Sequence, residues 1–393
     1  GRQNIFNARG SRFSGIPSSQ YCLVGFLLSC TAVMGEDNYL WIKEDSGIKF
    51  STDNSDPAGV DNPYIENNWD GSIYINNIAL SGTDNDSGTD GYGLKLGGDL
   101  GGFELINSGS IAGTATGNER GYGIYNNSDS IRSLTNKGSI IGTVTGSASE
   151  SYGIRNESGT ITTLANNGLI IGVYRGDMAN SGGIYNESGT IESLVNSGSL
   201  TGMSIGSSGY GIYNNSGTIA TLTNNGLITG TATGSYGSGY GIYKYSGTIA
   251  TLANNGLITG TATGSNVEGY GIYNNSGSTI ESLANNGLII GNGEGYGGQG
   301  IYNSGIIKSL INNGLITGAA TESNGRGRGI YNNSGTIENL ANNGLIIGNG
   351  KGDGGYGIYN QGSSSMTDGI NYGLIAVIDG DDGNGIKNAG TID

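Results

Sequence analysis

The strongest constraint in this sequence is a segment that recurs almost unchanged. Residues 209–234 read GYGIYNNSGTIATLTNNGLITGTATG, and residues 239–264 read GYGIYKYSGTIATLANNGLITGTATG. Self-similarity at a period of about 20–50 residues is typical of solenoids, propellers and other repeat arrays. The chain is therefore expected to build one structural unit many times rather than several unrelated domains.

Two markers define the repeat, and successive copies lie 28–30 residues apart for the first marker and 27–31 for the second. The first marker is Gly-Ile-Tyr-Asn, with changes at its third or fourth place, and its glycines are Gly123, Gly153, Gly183, Gly211, Gly241, Gly271, Gly300, Gly329, Gly357 and Gly385. The second marker is Asn-x-Gly followed by Leu or Ser, and its asparagines are Asn107, Asn136, Asn166, Asn196, Asn224, Asn254, Asn285, Asn312, Asn342 and Asn371.

Alternation within one repeat predicts short β-strands. The position of Leu227 becomes Ser in other copies, whereas the position of Ile228 is always apolar, so Ile228 is expected to point inward. Ile219 and Leu222 are three residues apart, which places a bend between them. A propeller blade needs about 40 residues. The pattern instead predicts an all-β fold, a single-stranded parallel β-helix (β-solenoid) of about ten rungs with three or four strands each.

The asparagines of the second marker are expected to have a structural role. Asn224 follows Leu222 at inward parity and precedes Asn-Gly, a pair that tolerates the left-handed backbone of a corner. Stacked at the strand spacing, such side chains can hydrogen-bond along the solenoid. A further asparagine row is interrupted by Lys244, and replacing this lysine is expected to change little.

Tyrosine recurs at one outward position of the Gly-Ile-Tyr-Asn marker. Arg155 and Lys387 interrupt the row, whose members are Tyr125, Tyr185, Tyr213, Tyr243, Tyr273, Tyr302, Tyr331 and Tyr359. Tyrosine suits interfaces because it is apolar with a polar tip, which makes the row a candidate binding stripe. Alternatively, the stacked rings only stabilise adjacent rungs. Repeat length varies at one corner, after the Ala232 position. This corner is either a second binding edge or a turn that tolerates changes in length without a functional consequence.

Charge and composition exclude several classes of function. The formal charge is −15, and beyond residue 35 the chain has 14 basic and 32 acidic residues, a sum of −18. An acidic surface repels phosphate backbones, so no nucleic-acid partner is expected. Histidine is absent, which excludes Ser-His-Asp and Cys-His catalysis and histidine-ligated zinc.

Three segments follow from these patterns. Residues 1–35 contain three arginines, no acid and the apolar run YCLVGFLLSCTAVMG, as in a secretory signal. Alternatively, the run is a lipoprotein box with Cys30 as the lipidated residue, or a buried strand. Residues 36–92 are expected to form an N-terminal cap with degenerate first rungs. Residues 93–393 form the repeat domain, which ends part-way through a unit.

The segment GIYNNSGTIATLTNNGLITG resembles the passenger repeats of autotransporters, the type V secreted proteins of Gram-negative bacteria. The resemblance covers roughly residues 93–393 and implies a right-handed parallel β-helix displayed at the outer membrane, on the bacterial cell surface. The translocator barrel of the family is missing, so we interpret the chain as a fragment of a longer protein. Membrane attachment is expected only through that missing barrel or through Cys30.

Candidate chemical sites are few. Acidic turns contain Asp84, Asp86 and Asp90, and also Asp379, Asp381 and Asp382. Their spacing matches no EF-hand, so we expect solvated turns and no metal site. Two G-x-G-x-x-G segments precede strands rather than helices, so no nucleotide or other cofactor is expected.

These observations predict a non-catalytic extracellular rod, an adhesin that mediates attachment or cell–cell self-association. Its expected partners are copies of itself or host and cell-surface glycans or proteins. The alternatives are a self-assembling filament or sheath subunit, and a β-helix protein that binds or cleaves polysaccharide.

Overall fold

The computed structural model describes residues 40–44, 48–51, 72–83, 90–147, 150–176, 179–322, 324–351, 354–378 and 383–392, with side chains from residue 72 onward. The chain divides into two units, Gly1–Glu36 and Asp37–Asp393, and every described residue belongs to the second. The export-like segment and Cys30 therefore lie outside the described residues. Within the ranges above, the regular structure is entirely β.

Each complete rung has three strands, which stack on their equivalents in the next rung. The third strands form one continuous sheet of eleven: β4 (Ala79–Thr83), β6 (Ser110–Ala115), β8 (Ser139–Val144), β11 (Leu169–Tyr174), β14 (Ser199–Ser204), β17 (Leu227–Ala232), β20 (Leu257–Ala262), β23 (Leu288–Gly293), β26 (Leu315–Ala320), β29 (Leu345–Asn349) and β32 (Leu374–Val377).

The first and second strands belong to the other sheet. The first strands are β9 (Glu150–Asn156), β12 (Asn180–Asn186), β15 (Gly209–Asn214), β18 (Gly239–Lys244), β21 (Glu268–Asn274), β24 (Gly297–Asn303), β27 (Arg326–Asn333), β30 (Tyr356–Gln361) and β33 (Asn384–Asn388). The second strands are β3 (Ile73–Asn76), β10 (Thr160–Asn166), β13 (Thr190–Asn196), β16 (Thr218–Asn224), β19 (Gly247–Asn254), β22 (Ser278–Asn285), β25 (Ile306–Asn312), β28 (Thr336–Asn342), β31 (Ser365–Asn371) and β34 (Thr391–Ile392). In two rungs a single strand spans both positions, as β5 (Gly91–Asn107) and β7 (Gly121–Asn136).

Successive rungs pair in parallel and in register. Tyr213 lies beside Tyr243, Asn224 beside Asn254, and Leu227 beside Leu257. The prediction of a parallel β-solenoid with about ten turns is confirmed. Its right-handedness remains a prediction from the family resemblance.

The N-terminal strands β1 (Leu40–Glu44) and β2 (Ile48–Ser51) form an antiparallel pair, and β1 also pairs in parallel with the beginning of β5. Because β1 occupies the place of a first strand, its backbone groups satisfy the exposed edge of β5. The first recognisable rung positions are β3 and β4, which pair in parallel with β5 and β6.

One apolar core runs along the inside of the solenoid. Ile212, Ile219, Leu222 and Ile228, the positions predicted to point inward, are all fully buried, as are their equivalents through most of the stack. The space between the third and first strands is very small, because a Cβ added to Gly260 would overlap the carbonyl oxygen of Tyr270. This close approach explains why the third strands from β4 to β29 keep glycine at the Gly260 position, from Gly82 to Gly348, whereas β32 has Val377 there.

The first asparagine ladder lies at the corner between second and third strands. Its members are Asn76 and the asparagines predicted from the Asn-x-Gly marker, and Asn76 through Asn342 have no solvent exposure. Each Nδ2 donates to the Oδ1 of the next rung at 2.7–2.8 Å. Asn254 Nδ2 also donates to the carbonyl oxygens of Gly256 at 3.2 Å and Leu288 at 3.0 Å. The ladder therefore satisfies backbone groups of two consecutive corners.

Replacing Asn254 with Leu should destabilise the protein by about 3 kcal/mol or more, because several buried groups lose a partner at about 1–3 kcal/mol each. The neighbouring Asn255 lies in an exposed asparagine row, where it donates to Asn225, so Asn255→Leu is the matched control and should cost little. Urea unfolding of the two variants measures the difference. Equal losses of unfolding free energy in the two variants would contradict a specific stabilising role for the buried ladder.

Candidate functional site: the tyrosine face

The eight tyrosines predicted to form a stripe lie on the stack of first strands. Consecutive ring centroids are 4.8 Å apart for Tyr185 and Tyr213, 5.1 Å for Tyr213 and Tyr243, and 4.3 Å for Tyr273 and Tyr302. The in-register pairing of the first strands produces this spacing. Tyr125 begins the row and Tyr359 ends it. Arg155 occupies the tyrosine position between Tyr125 and Tyr185, and Lys387 occupies the position after Tyr359.

Cations at the interruptions continue the stack instead of breaking it. The Arg155 guanidinium lies over the rings of Tyr125 and Tyr185, at 5.9 and 5.4 Å from their centroids. Lys387 Nζ lies 5.2 Å from the centroid of the Tyr359 ring. Cation–π attraction favours both arrangements.

A second tyrosine row, which was not recognised in the sequence, packs beside the first. Its members precede the glycine of the Gly-Ile-Tyr-Asn marker and are Tyr92, Tyr122, Tyr152, Tyr210, Tyr240, Tyr270 and Tyr356. Tyr210 contacts Tyr213 of the same rung at 4.9 Å and Tyr240 of the next rung at 5.1 Å. The signal was present, because five of the ten copies read Gly-Tyr-Gly-Ile-Tyr.

The glycine between the two tyrosines explains how both rows reach one surface. In a regular strand, residues three apart point to opposite faces. Strand pairing skips Gly211 and Gly241, and a Cβ added to Gly211 would overlap the Ile228 side chain. The glycine therefore breaks the alternation and allows Tyr210 and Tyr213 to pack together. The two rows with their cations are called the tyrosine face below.

Contacts between neighbouring rings determine which parts of the tyrosine side chains remain accessible to solvent. The rings of Tyr331 and Tyr359 are nearly parallel, with an interplanar angle of 2°, and those of Tyr273 and Tyr302 differ by 9°. The ring of Tyr243 is tilted by 54° and 48° to its two neighbours in the row, and Tyr302 meets Tyr331 edge to face at 84°. Neighbouring rungs therefore cover much of the ring faces. Tyr185 is 5% exposed, and the other first-row tyrosines are partly exposed. The face presents mainly ring edges and hydroxyl groups to solvent.

Several of the hydroxyl groups already have partners in the next rung. Asn215 Nδ2 donates to the Tyr185 hydroxyl at 3.2 Å, and Asn333 Nδ2 donates to that of Tyr302 at 2.6 Å. Burial raises the pKa of Tyr185 to about 12, and burial also raises the pKa of Tyr213. The hydroxyls of these two residues therefore stay protonated and can donate hydrogen bonds at neutral pH.

The charged residues within the two rows are all basic, although the chain is strongly acidic. They are Lys95, Arg155, Arg328 and Lys387. Arg155 donates to Glu150 at 2.9 Å and to Glu187 at 2.5 Å, so two flanking carboxylates neutralise it. The Arg328 guanidinium is 6% exposed and lies 4.0 Å from the centroid of the Tyr331 ring. Burial lowers the pKa of Arg328.

A second asparagine ladder lies at the corner between first and second strands. Its members are Asn126, Asn156, Asn186, Asn214, Asn274, Asn303, Asn332, Asn360 and Asn388. All of them are buried except Asn388, which is exposed. Adjacent members are joined by Nδ2–Oδ1 bonds of 2.7–2.8 Å except between Asn214 and Asn274, where Lys244 intervenes. The chain thus has two parallel buried ladders, one at each fixed corner.

Lys244 is fully buried, and its Nζ donates to the carbonyl oxygens of Ser246, at 3.2 Å, and Gly247. Asn274 Oδ1 lacks a hydrogen-bond partner, because the lysine does not supply the amide that an asparagine would. Burial lowers the pKa of Lys244 to about 7. This burial argues against the small effect that the sequence suggested for its replacement.

The acidic turns were the other candidate site in the sequence, and the described residues include only part of them. Asp90 accepts hydrogen bonds from the Tyr92 hydroxyl at 3.1 Å and from the backbone nitrogen of Arg120 at 3.0 Å. The other five aspartates of the acidic turns lie outside the described residues. Among the residues with described positions, no group of three acidic or cysteine side chains is placed to hold a metal ion. The same residues include no helix of the length and apolarity that a membrane span requires.

No protein-family model, curated protein or solved structure matches this chain. The resemblance to autotransporter passengers therefore rests on the repeat motif alone.

Lys244→Asn should raise the stability and flatten its dependence on pH. The unfolded chain holds the lysine proton up to about pH 10.5, whereas the folded state releases it near pH 7. Relative to Lys244→Asn, wild-type stability should therefore rise from pH 7 upward by at most about 1.4 kcal/mol per pH unit.

Urea unfolding of wild type and Lys244→Asn between pH 7 and 8.5 measures this difference, because at pH 9.5 about a quarter of the unfolded tyrosines, whose pKa is about 10, are already ionised. Lys308→Asn is the control, because Lys308 is exposed and forms a surface ion pair with Glu281. Parallel pH profiles for wild type and Lys244→Asn would contradict the assignment of a buried, readily neutralised amine.

Proposed function

We propose that this chain is the passenger-like part of an adhesin: a non-catalytic rod at the bacterial cell surface that mediates attachment through cell–cell self-association. The observation that carries the proposal is the tyrosine face, which follows the stack of first strands from Tyr92 to Tyr359. The repeat motif GIYNNSGTIATLTNNGLITG and the export-like residues 1–35 support the surface location.

The geometry of the rings favours edge contacts over face contacts. Sugar-binding platforms need an open ring face, whereas stacking leaves mainly edges and hydroxyl groups accessible here. Tyrosine edges are suited to hydrogen bonding with an equivalent row on another rod. We therefore rank a second copy of the chain above a glycan or a host protein as the partner.

Repetition makes weak contacts sufficient. One tyrosine hydroxyl contributes little by itself, because a net hydrogen bond is worth only about 0.5–1.5 kcal/mol. A face that repeats the contact in every rung adds such contributions without a new association cost for each one. Two rods with the same rung spacing can align many hydroxyl groups at once. The strength of adhesion then depends on the number of rungs in contact rather than on a single binding pocket.

A filament subunit is the second candidate. Equivalent residues of successive rungs pair in register, as Tyr213 does with Tyr243 and Asn224 with Asn254, and copies of the chain that stacked end to end would extend the same pairing. Purified protein that forms ordered fibres without causing cells to clump would support this candidate.

Changing Tyr213, Tyr243, Tyr273 and Tyr302 to Phe should reduce clumping severalfold without altering the fold. Phenylalanine retains the ring stack but removes the hydroxyl groups. The full chain is displayed on a non-adherent cell, and sedimentation measures clumping; the thermal unfolding of purified variants checks the fold. The control changes Leu227, Leu257, Leu288 and Leu315 to Ser, the residue that Ser199 supplies in another rung. A Phe variant that clumps like wild type would show that the tyrosine hydroxyl groups do not mediate the association.

Salt should strengthen the association. The chain has a net charge of −15, so neighbouring rods repel one another at low ionic strength. The screening length falls from about 30 Å at 0.01 M salt to about 8 Å at 0.15 M. Clumping should therefore increase over this range, as followed by sedimentation of the displaying cells. A decrease with added salt would indicate that the rods attract through opposite charges instead.

A further inference from the structure

The second asparagine ladder coincides with the glycosylation sequons of this chain. Asn-x-Ser/Thr is the acceptor for Asn-linked oligosaccharide. Within the described residues, the sequon asparagines are Asn126, Asn156, Asn186, Asn214, Asn274 and Asn332. All six are ladder members, because the corners after these six first strands read Asn-Asn-Ser or Asn-Glu-Ser. The exposed row that contains Asn225 reads Asn-Gly-Leu and has no sequon.

The acceptor nitrogens are all buried in the folded chain. The six asparagines have no solvent exposure. Asn332 Nδ2 donates to Asn360 Oδ1 at 2.8 Å and to the carbonyl oxygens of Gly335 and Ser365, both at 3.1 Å. Asn186 Nδ2 has the same arrangement with Asn214 and Gly189. Asn186, Asn274 and Asn332 therefore use both amide hydrogens inside the corner. Each of the other three nitrogens donates one hydrogen bond there, and these belong to Asn126, Asn156 and Asn214.

No carbon atom fits beside three of these nitrogens, those of Asn156, Asn186 and Asn274. A Cβ added to Gly189 would overlap Asn156 Nδ2, and a Cβ added to Gly217 would overlap Asn186 Nδ2. A Cβ on Gly305 would lie 2.9 Å from Asn274 Nδ2, closer than real Cβ atoms approach a neighbour. A sugar ring on the same nitrogen is far larger than a methyl group. The closed corner has room for the amide alone.

We infer that glycosylation of a ladder asparagine and folding of its rung exclude each other in this chain. Glycosylation joins Nδ2 to the anomeric carbon of a lipid-linked oligosaccharide, breaks the bond from that carbon to the lipid pyrophosphate, and releases an amide proton to a base of the transferase. The six sequons accept the sugar only while the chain is unfolded, and one sugar prevents the closure of its rung. The chain matures only by a route without this transfer, which agrees with bacterial export and does not depend on the tyrosine face.

The experiment offers folded chain and urea-unfolded, diluted chain to a purified oligosaccharyltransferase with a lipid-linked oligosaccharide donor. Mass spectrometry identifies the occupied asparagines, and protease resistance with circular dichroism reports refolding. Folded chain should accept no sugar at the ladder. Unfolded chain should accept it, and the modified molecules should stay protease-sensitive while mock-treated molecules refold.

A matched control places the sugar on the exposed row. The six third-position serines are changed to Ala, and Leu227→Ser then turns the Asn-Gly-Leu segment that begins at Asn225 into a sequon. Serine is tolerated at this position, because Ser199 pairs with Leu227 in the neighbouring rung. Molecules glycosylated at Asn225 should refold. Protease-resistant molecules with a sugar on any of the six ladder asparagines would overturn the inference.

Discussion

The hydrogen bond between equivalent asparagines of successive rungs is the interaction on which the rest of this solenoid depends. Asn254 accepts from Asn224 and donates to Asn285, both at 2.8 Å, within a fully buried corner. An asparagine shifted by one residue would bury unpaired amide groups, and such groups cost about 1–3 kcal/mol each. The two ladders therefore hold every rung in one register.

Register in turn produces the tyrosine face. With Asn224 above Asn254, Tyr213 must lie beside Tyr243, and the rings meet at 5.1 Å. Where tyrosine is missing, Arg155 occupies its place and contacts the same rings through its guanidinium. The face is thus a product of stacking, and any function assigned to it must use the edges and hydroxyl groups that stacking leaves accessible.

The same ladders restrict what the chain tolerates. Lys244 breaks the second ladder, leaves Asn274 Oδ1 without a partner and buries an amine. The surrounding rungs still hold the corner closed, because each contributes its own core residues and backbone pairing. A sugar attached to a ladder nitrogen is a more severe change than Lys244, because the neighbouring rungs have no space for it.

Periodicity in the sequence was sufficient to predict the architecture. Ile212, Ile219, Leu222 and Ile228 could be assigned to the core, and the Asn-x-Gly asparagines to stacked corners, because a repeated rung places each residue beside its own copy. The second tyrosine row could not be assigned in this way, since alternation places Tyr210 and Tyr213 on opposite faces. Only the three-dimensional structure shows that Gly211 breaks the alternation, that the stacked rings cover one another, and that Lys244 is buried. These properties depend on contacts between rungs and between sheets, which no pattern within a single repeat contains.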